Sequence, residues 1–326
     1  MVAVDTSRAE GTPSDYLRLA RFDHATKHVF IIPGIFLAVL LRPDVARFDA
    51  LVLVLGFASA VAVASANYVI NEWLDREFDA HHPDKCQRAA VQRTMRPVPV
   101  YMLYFTLLVV GLGLAWLVNP PFFVVSALFA VAGIVYNVRP FRTKDRAIVD
   151  VVSESFNNAI RLTLGWLMID ATSIPPSSLL AAFWAGGAFL MNSKRLAEYR
   201  DIVAAVGAER LALYRRSFRY YDEARLHVAN LVYALVTSFA LAVFLIKYRL
   251  EYVLAVPPLI ALFAAYYALA LQPDSVARKP ERLFRSRRIM GLAGFTCLLF
   301  AVLTFVDVPP LSRLAEEQFI IVAPPS

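Results

Sequence analysis

The chain has 326 residues, 59% of them hydrophobic and 18% charged, with a mean hydropathy of +0.55 and a formal net charge of +7. Soluble domains are nearer half apolar and a quarter charged, so most of this chain is expected to lie in lipid; disorder, a collagen-like repeat and a disulfide scaffold are excluded. Cys86 stands in a charged segment and Cys297 in an apolar run, and no disulfide between them is expected.

Residues 1–21 read as a polar cytoplasmic arm. From Met1 to Lys27 no apolar core follows a basic start, so a removable signal peptide is not expected. Taking about 20 apolar residues as one bilayer crossing, the sequence predicts helices near Val29–Leu41, Phe48–Ile70, Pro99–Val118, Phe122–Val138 and Ile148–Met168. Four more are predicted near Ser177–Met191, Leu226–Ile246, Tyr252–Leu271 and Ile289–Val306. The expected fold is all-α, a polytopic membrane protein of nine helices forming one domain over 22–306, with a non-cytoplasmic tail at 307–326.

Nine crossings put the N-terminal arm and the even-numbered loops on one side. That side carries 27 of the Lys and Arg residues, against 5 on the other and Arg161 inside a helix. Such an excess marks the cytoplasmic side of an integral membrane protein, most simply the plasma (inner) membrane. A positive face of this kind suits anionic membrane lipid headgroups or phosphorylated substrates; nucleic acid is not expected, since these charges belong to orienting loops. Two cytoplasmic loops, 71–98 and 192–225, are long, and long ordered loops are usually functional.

Three polar faces stand out. If the second helix continues past the bilayer, Asn67, Asn71, Asp75 and Asp79 fall four apart on one stripe. Its carboxylates suit Mg2+, which takes a few protein oxygens and leaves positions for water and phosphate; the plainer reading is a solvated helix end paired with Arg76, Lys85 and Arg88. In the fifth helix Asp150, Glu154, Asn157 and Arg161 share an arc of roughly 60°. Charges at membrane depth face interior cavities and mark function; the alternative is interhelical bonding, with Arg161 neutralised by Glu154 or Asp150. The third cluster is Lys194-Arg195-x-x-Glu198-x-x-Asp201, with Lys194, Glu198 and Asp201 on one face, which equally suits a second metal or a surface of i,i+4 pairs. Two carboxylate donors opposite basic loops fit a diphosphate substrate, with metal assisting its departure.

Other features carry less. His24 and His28 are four apart, but no Cys or acid pair completes a zinc site. His81 and His82 precede Pro83 and read as a loop. Gly111 with Gly113, and Gly186 with Gly187, suggest close helix packing rather than a nucleotide loop.

The run Asn71-Glu72-x-x-Asp75-x-x-x-Asp79 resembles the Asn-Asp-x-x-Asp-x-x-x-Asp motif of the UbiA superfamily of intramembrane prenyltransferases, with Glu72 replacing Asp. The stretch Tyr136–Asp145 resembles that family's loop before the fifth helix, and the resemblance spans Phe22 to Val306. The cluster from Lys194 to Asp201 is instead similar to the branch typified by decaprenyl-phosphate phosphoribosyltransferase. The resemblance implies a nine-helix UbiA-like bundle in which Asp75 and Asp79 bind Mg2+-diphosphate with Asn71 and Glu72 assisting. It further implies that Glu198 and Asp201 hold an opposite metal while Lys194, Arg142 and Lys144 contact phosphate. Arg195 is taken as substrate-binding; Arg161, as catalytic, and Asn157, as substrate-binding, are assigned from the helical face alone. The leading expectation is a Mg2+-dependent prenyltransferase moving a chain from a polyprenyl diphosphate to a small-molecule acceptor. The alternative moves 5-phosphoribosyl from phosphoribosyl diphosphate to polyprenyl phosphate; a membrane transporter is the third possibility, but it calls for broken helices and internal repeats.

Overall fold

The computed structural model describes residues 9–82, 85–207, 211–272 and 286–311. Among these residues there is no strand, and nine α-helices have ten or more residues. They are α1 (Ile32–Leu41), α2 (Ala50–Asp79), α3 (Pro97–Val118), α4 (Pro120–Asn137), α5 (Val149–Leu167), α6 (Ser177–Val206), α7 (Glu223–Tyr248), α8 (Val256–Ala270) and α9 (Arg287–Phe305). Six helical segments are long and apolar enough to cross a membrane: α2, α3, α4, α7, α9, and α8 together with its leading turn from Leu250. The protein is therefore an integral membrane protein. The first eight residues and the tail from 312 lie outside the described residues, as do most of the basic segment before α9 and the side chain of His24.

The element order agrees with the sequence reading, and the boundaries differ where they matter. The two long loops are partly helix: α2 runs on to Asp79 and α6 to Val206. Hydropathy marks where the bilayer ends, whereas the backbone hydrogen-bond ladder continues wherever side chains permit it. The first crossing is shorter than expected, because a 3-10 segment, Phe22–Ile31, precedes α1. Cys86 and Cys297 form no disulfide.

Helix starts follow local chemistry. The Asp49 carboxylate accepts from Leu51 N at 2.8 Å, and Asn119, ahead of two prolines, accepts from Phe122 N at 2.8 Å. These caps satisfy amides left without intrahelical partners. Asn119 also donates to Leu167 O at 2.9 Å, tying the α3–α4 turn to the end of α5.

Packing inside lipid gains little from the hydrophobic effect between helices and depends on close fit and buried polar bonds. α2 accordingly buries small residues, Gly56, Ser59, Ala60, Ala62, Ala64, Ser65 and Ala66. Ser59 donates to Gly111 O at 2.8 Å, and a Cβ on Gly111 would stand 2.8 Å from Val63 Cγ2. Gly187 is equally constrained, since a Cβ there would meet Asn158 Nδ2 at 2.1 Å, whereas Gly113 has open space. Large apolar side chains such as Phe105, Val109, Leu117, Phe239 and Phe305 point outward from the bundle, as a lipid-facing surface requires.

α5 is the central helix, packed against α1, α4 and α6, and from Asn158 to Leu167 every side chain is buried. Its approach to α1 is backbone to backbone. A Cβ on Gly34 would lie 2.0 Å from Leu162 O, and one on Gly165 would lie 2.0 Å from Ile31 O. Gly165→Val is expected to force the helices apart and destabilise the fold by at least ~1–3 kcal/mol. Thermal unfolding in detergent checks this, and a wild-type Tm would show that the helices separate freely.

Candidate active site

A cavity of about 250 Å³ opens between the helices at the basic end of the bundle. α2 supplies Asn67, Asn71, Asp75 and Asp79 from one stripe, as the four-residue spacing predicts. α4 supplies Tyr136 and Asn137, α5 supplies Glu154, Asn157, Asn158 and Arg161, and α6 supplies Lys194, Arg195 and Glu198. The remaining cations, Arg21, Lys85, Arg88, Lys144 and Arg215, come from segments flanking the helices. Apolar lining is contributed by Phe30, Ala64, Phe129, Leu190 and Met191.

At the α2 end, Asp75 Oδ1 meets Arg142 Nη2 and Lys144 Nζ, each at 2.7 Å. Asn137 Oδ1 accepts from Asn71 Nδ2 at 2.6 Å and from Lys144 Nζ at 2.7 Å, joining α2, α4 and the turn after α4. Arg142 also donates to Asn137 O at 2.9 Å and to Asp145 Oδ2 at 3.1 Å. These bonds hold its backbone at φ 32°, a left-handed conformation that side-chain-bearing residues adopt only when their surroundings impose it. Arg88 pairs with Asp79 Oδ2 at 2.5 Å. Loss of hydration pushes the Lys144 ammonium down to about 8 despite its contact with Asp75. The Lys85 ammonium is lowered to about 8 for the same reason, with Glu198 and Asp79 opposing the shift.

Across the cavity, Arg195 is 2% exposed and divides its guanidinium among Asp150 Oδ2 at 3.2 Å, Glu154 Oε2 at 2.8 Å and Glu198 Oε2 at 3.1 Å. Asp150, wholly buried, also accepts from Ser217 Oγ at 3.2 Å and Tyr221 OH at 2.5 Å, and pairs with Arg215 Nε at 3.5 Å. Tyr136 donates to Glu154 Oε2 at 2.8 Å and receives a hydrogen bond from Arg215.

Of the residues given a site role from the sequence, Asn71, Asp75, Asp79, Lys144, Asn157, Arg161, Lys194, Arg195 and Glu198 line this one cavity. Three do not. Glu72 is buried behind the stripe, beside Arg88 and Arg21 and hydrogen-bonded to the Ala90 backbone, outside the cavity lining. Arg142 backs the cavity wall, bonded to Asp75 and to the Asn137 carbonyl, and Asp201 lies further along α6, outside the lining. Arg195 lines the cavity with three of its N–H groups given to acids, which also makes it a brace between α5 and α6. The alternative pairing of Arg161 with Glu154 or Asp150 is not formed: those acids pair with Arg195, and Arg161 makes no ion pair among the described residues. Sequence reading missed Lys85, Arg88 and Arg215 as parts of the site; the signal available was a basic residue close in sequence to each acidic cluster.

The donor set suits a divalent cation completed by phosphate. Among the described residues no three His, Cys, Asp or Glu side chains gather closely enough to hold a metal unaided. The ion pairs, however, engage one oxygen each of Asp75, Asp79 and Glu198, leaving the second carboxylate oxygens outside those pairs. Mg2+ commonly takes one or two carboxylates and draws its remaining oxygens from substrate and water.

Comparison with known proteins agrees with this geometry. A UbiA homologue from Archaeoglobus fulgidus bound to GPP and Mg2+ superposes with a TM-score of 0.65 at 18% identity, covering 89% of this chain and 98% of that one. The same archaeal homologue bound to DMAPP and Mg2+ gives 0.64 at 20% identity, covering 90% and 100%. Decaprenyl-phosphate phosphoribosyltransferase of Mycobacterium tuberculosis is 32% identical over 141 residues, 41% of this chain and 43% of that protein. An uncharacterised protein of Sinorhizobium fredii is 26% identical over 155 residues, 47% of this chain and 29% of its own. The matches thus span less than half of either curated relative. Residues 29–292 match the UbiA prenyltransferase family, a span that contains the α2 stripe, the Asn137–Lys144 turn and the α6 cluster, and it displaces the transporter reading. On fold, motif and family match together, the chain belongs to the UbiA prenyltransferase family.

Proposed function

We propose that the protein is a Mg2+-dependent transferase that expels diphosphate from a donor in this cavity, and that it joins phosphoribosyl diphosphate to a polyprenyl phosphate. The observation that carries the choice of substrates is the cavity's charge. Its lining holds eight cationic side chains against four carboxylates. A prenyl diphosphate brings one anionic group, largely offset by its metal. Phosphoribosyl diphosphate and polyprenyl phosphate bring two further phosphates, each carrying about −1.5 to −2 at neutral pH, and match the excess. The similarity to decaprenyl-phosphate phosphoribosyltransferase supports the same reading.

Asp75 and Asp79, with Asn71 beside them, are the residues that would hold Mg2+ on the α2 side, and Glu198 on the α6 side. The bound cation offsets diphosphate charge and eases its departure. Lys85, Lys144, Lys194 and Arg215 hold the diphosphate oxygens as negative charge builds on them. The bond from ribose C1 to the diphosphate oxygen breaks with its electrons leaving on diphosphate, while an oxygen of the polyprenyl phosphate forms the new bond to C1. The charge asymmetry supports an orientation in which this basic end faces the cytoplasm.

Transfer of a prenyl chain from a polyprenyl diphosphate is the second reading, favoured by the prenyl diphosphates bound to the archaeal homologue. It uses the same acidic motif. Purified protein supplied with phosphoribosyl diphosphate and polyprenyl phosphate is expected to release diphosphate only when both substrates and Mg2+ are present. Absence of release from stable protein that does turn over a polyprenyl diphosphate would reverse the order of the two readings.

A further inference from the structure

The interior end of the cavity has a chemistry of its own. Arg161 lies eleven residues along α5 from Asp150, roughly 16 Å deeper into the bundle. It is 9% exposed, its guanidinium stands 5.2 Å from the Phe129 ring centre, and its Nε has no hydrogen-bond partner. One turn away Asn157 leaves Oδ1 buried and unpartnered. Opposite, Asn67 donates through Nδ2 to Phe129 O at 3.0 Å, and its Oδ1 packs against Gly133 of α4, where an added Cβ would stand 2.0 Å from it. All three side chains line the same cavity.

A buried cation outside every ion pair among the described residues and a buried amide oxygen without a donor are each costly in isolation. Together they suit one ligand that carries an anionic group and, about one helix turn from it, an O–H or N–H donor. A prenyl tail offers neither, and a diphosphate offers no donor. We propose that Arg161 and Asn157 form a subsite for a phosphorylated, hydroxyl-bearing sugar, with Arg161 on the phosphate and the asparagine oxygen accepting from a sugar hydroxyl. The inference deepens the phosphoribosyl reading above and rests on it for the identity of the sugar. It assigns the deep end of the cavity to the donor's ribose 5-phosphate and the Asp75–Asp79 end to its diphosphate.

Detergent-purified protein can be titrated separately with ribose 5-phosphate and with Mg2+ plus inorganic diphosphate, following binding by calorimetry. Wild type is expected to bind both. Arg161→Met is expected to weaken ribose 5-phosphate binding and raise the donor KM by at least about 10-fold, while Mg2+-diphosphate binding stays unchanged. Because the variant removes an unpaired buried charge, its unliganded Tm is expected to equal or exceed that of wild type; a residue serving only structure would lower it. Asn157→Leu, which keeps Arg161, is expected to show the same selective loss and serves if the first variant fails to fold. Wild-type ribose 5-phosphate affinity in both variants overturns the subsite, as does a wild type that binds Mg2+-diphosphate but no ribose 5-phosphate. Failure of the wider reading looks different: Arg161-dependent binding of ribose 5-phosphate without diphosphate release leaves the subsite standing and removes pentosyl transfer.

Discussion

Asp75→Asn is expected to cut diphosphate release by at least ~10²–10³-fold. The change keeps side-chain volume and removes the charge that would bind metal. Asp75 is more than a metal ligand, however, because Arg142 and Lys144 both rest on its Oδ1. Lys144 is 3% exposed, so truncation to alanine strips a counter-charge from a desolvated ammonium. Removing one partner of a buried pair costs about 3–5 kcal/mol, and the 19% exposure of the Asp75 side chain places Asp75→Ala below that range. Asparagine loses the charge as well but keeps an oxygen that can accept from both cations, so it is the cleaner test. Activity is compared with Tm on the same preparation. Near-normal turnover in Asp75→Asn would sink the metal assignment, whereas lost turnover at wild-type Tm supports it.

The largest expected effect on stability belongs to Arg195. Arg195→Leu leaves Asp150, Glu154 and Glu198 around an apolar side chain, and the first of these is wholly buried. Breaking a single buried pair already costs about 3–5 kcal/mol, a large share of the 5–15 kcal/mol that typically separates folded from unfolded states. The variant is expected to accumulate poorly and to unfold at a much lower temperature. Arg195→Lys should recover only part of the loss, since an ammonium cannot present the planar fork that meets three carboxylates at once. A monodisperse Arg195→Leu protein with wild-type Tm would show that the acids find other partners.

The architecture was legible in the sequence because hydropathy and loop charge are local quantities. The helix order and the α2 stripe follow from spacing alone, and Asn71, Asp75 and Asp79 meet in one cavity as that spacing requires. What periodicity could not show is which helix answers a given charge. Arg161 and Glu154 share a face of α5, and the alternative to a functional Arg161 paired them. Instead Arg195 reaches across from α6, 41 residues away in sequence, and takes Glu154. Glu72 illustrates the reverse case: it occupies a motif position, yet a helix turns 100° per residue, and one step from Asn71 carries it out of the cavity wall. The plain reading of the α2 end, acids paired with nearby basic residues, is also realised by Arg88 on Asp79.

The glycine contacts between α1 and α5 have a mechanical consequence. Where two backbones touch with no side chain between them, there is no rotamer to rearrange and no methyl group to compress, so the two helices move as a single beam. Arg161 adjoins Leu162, whose carbonyl is one of those touching points. The cavity is thus a vice with one fixed jaw. Room for a bulkier occupant comes from the opposing jaw, where Ala64 on α2 and Tyr266 on α8 face the same space.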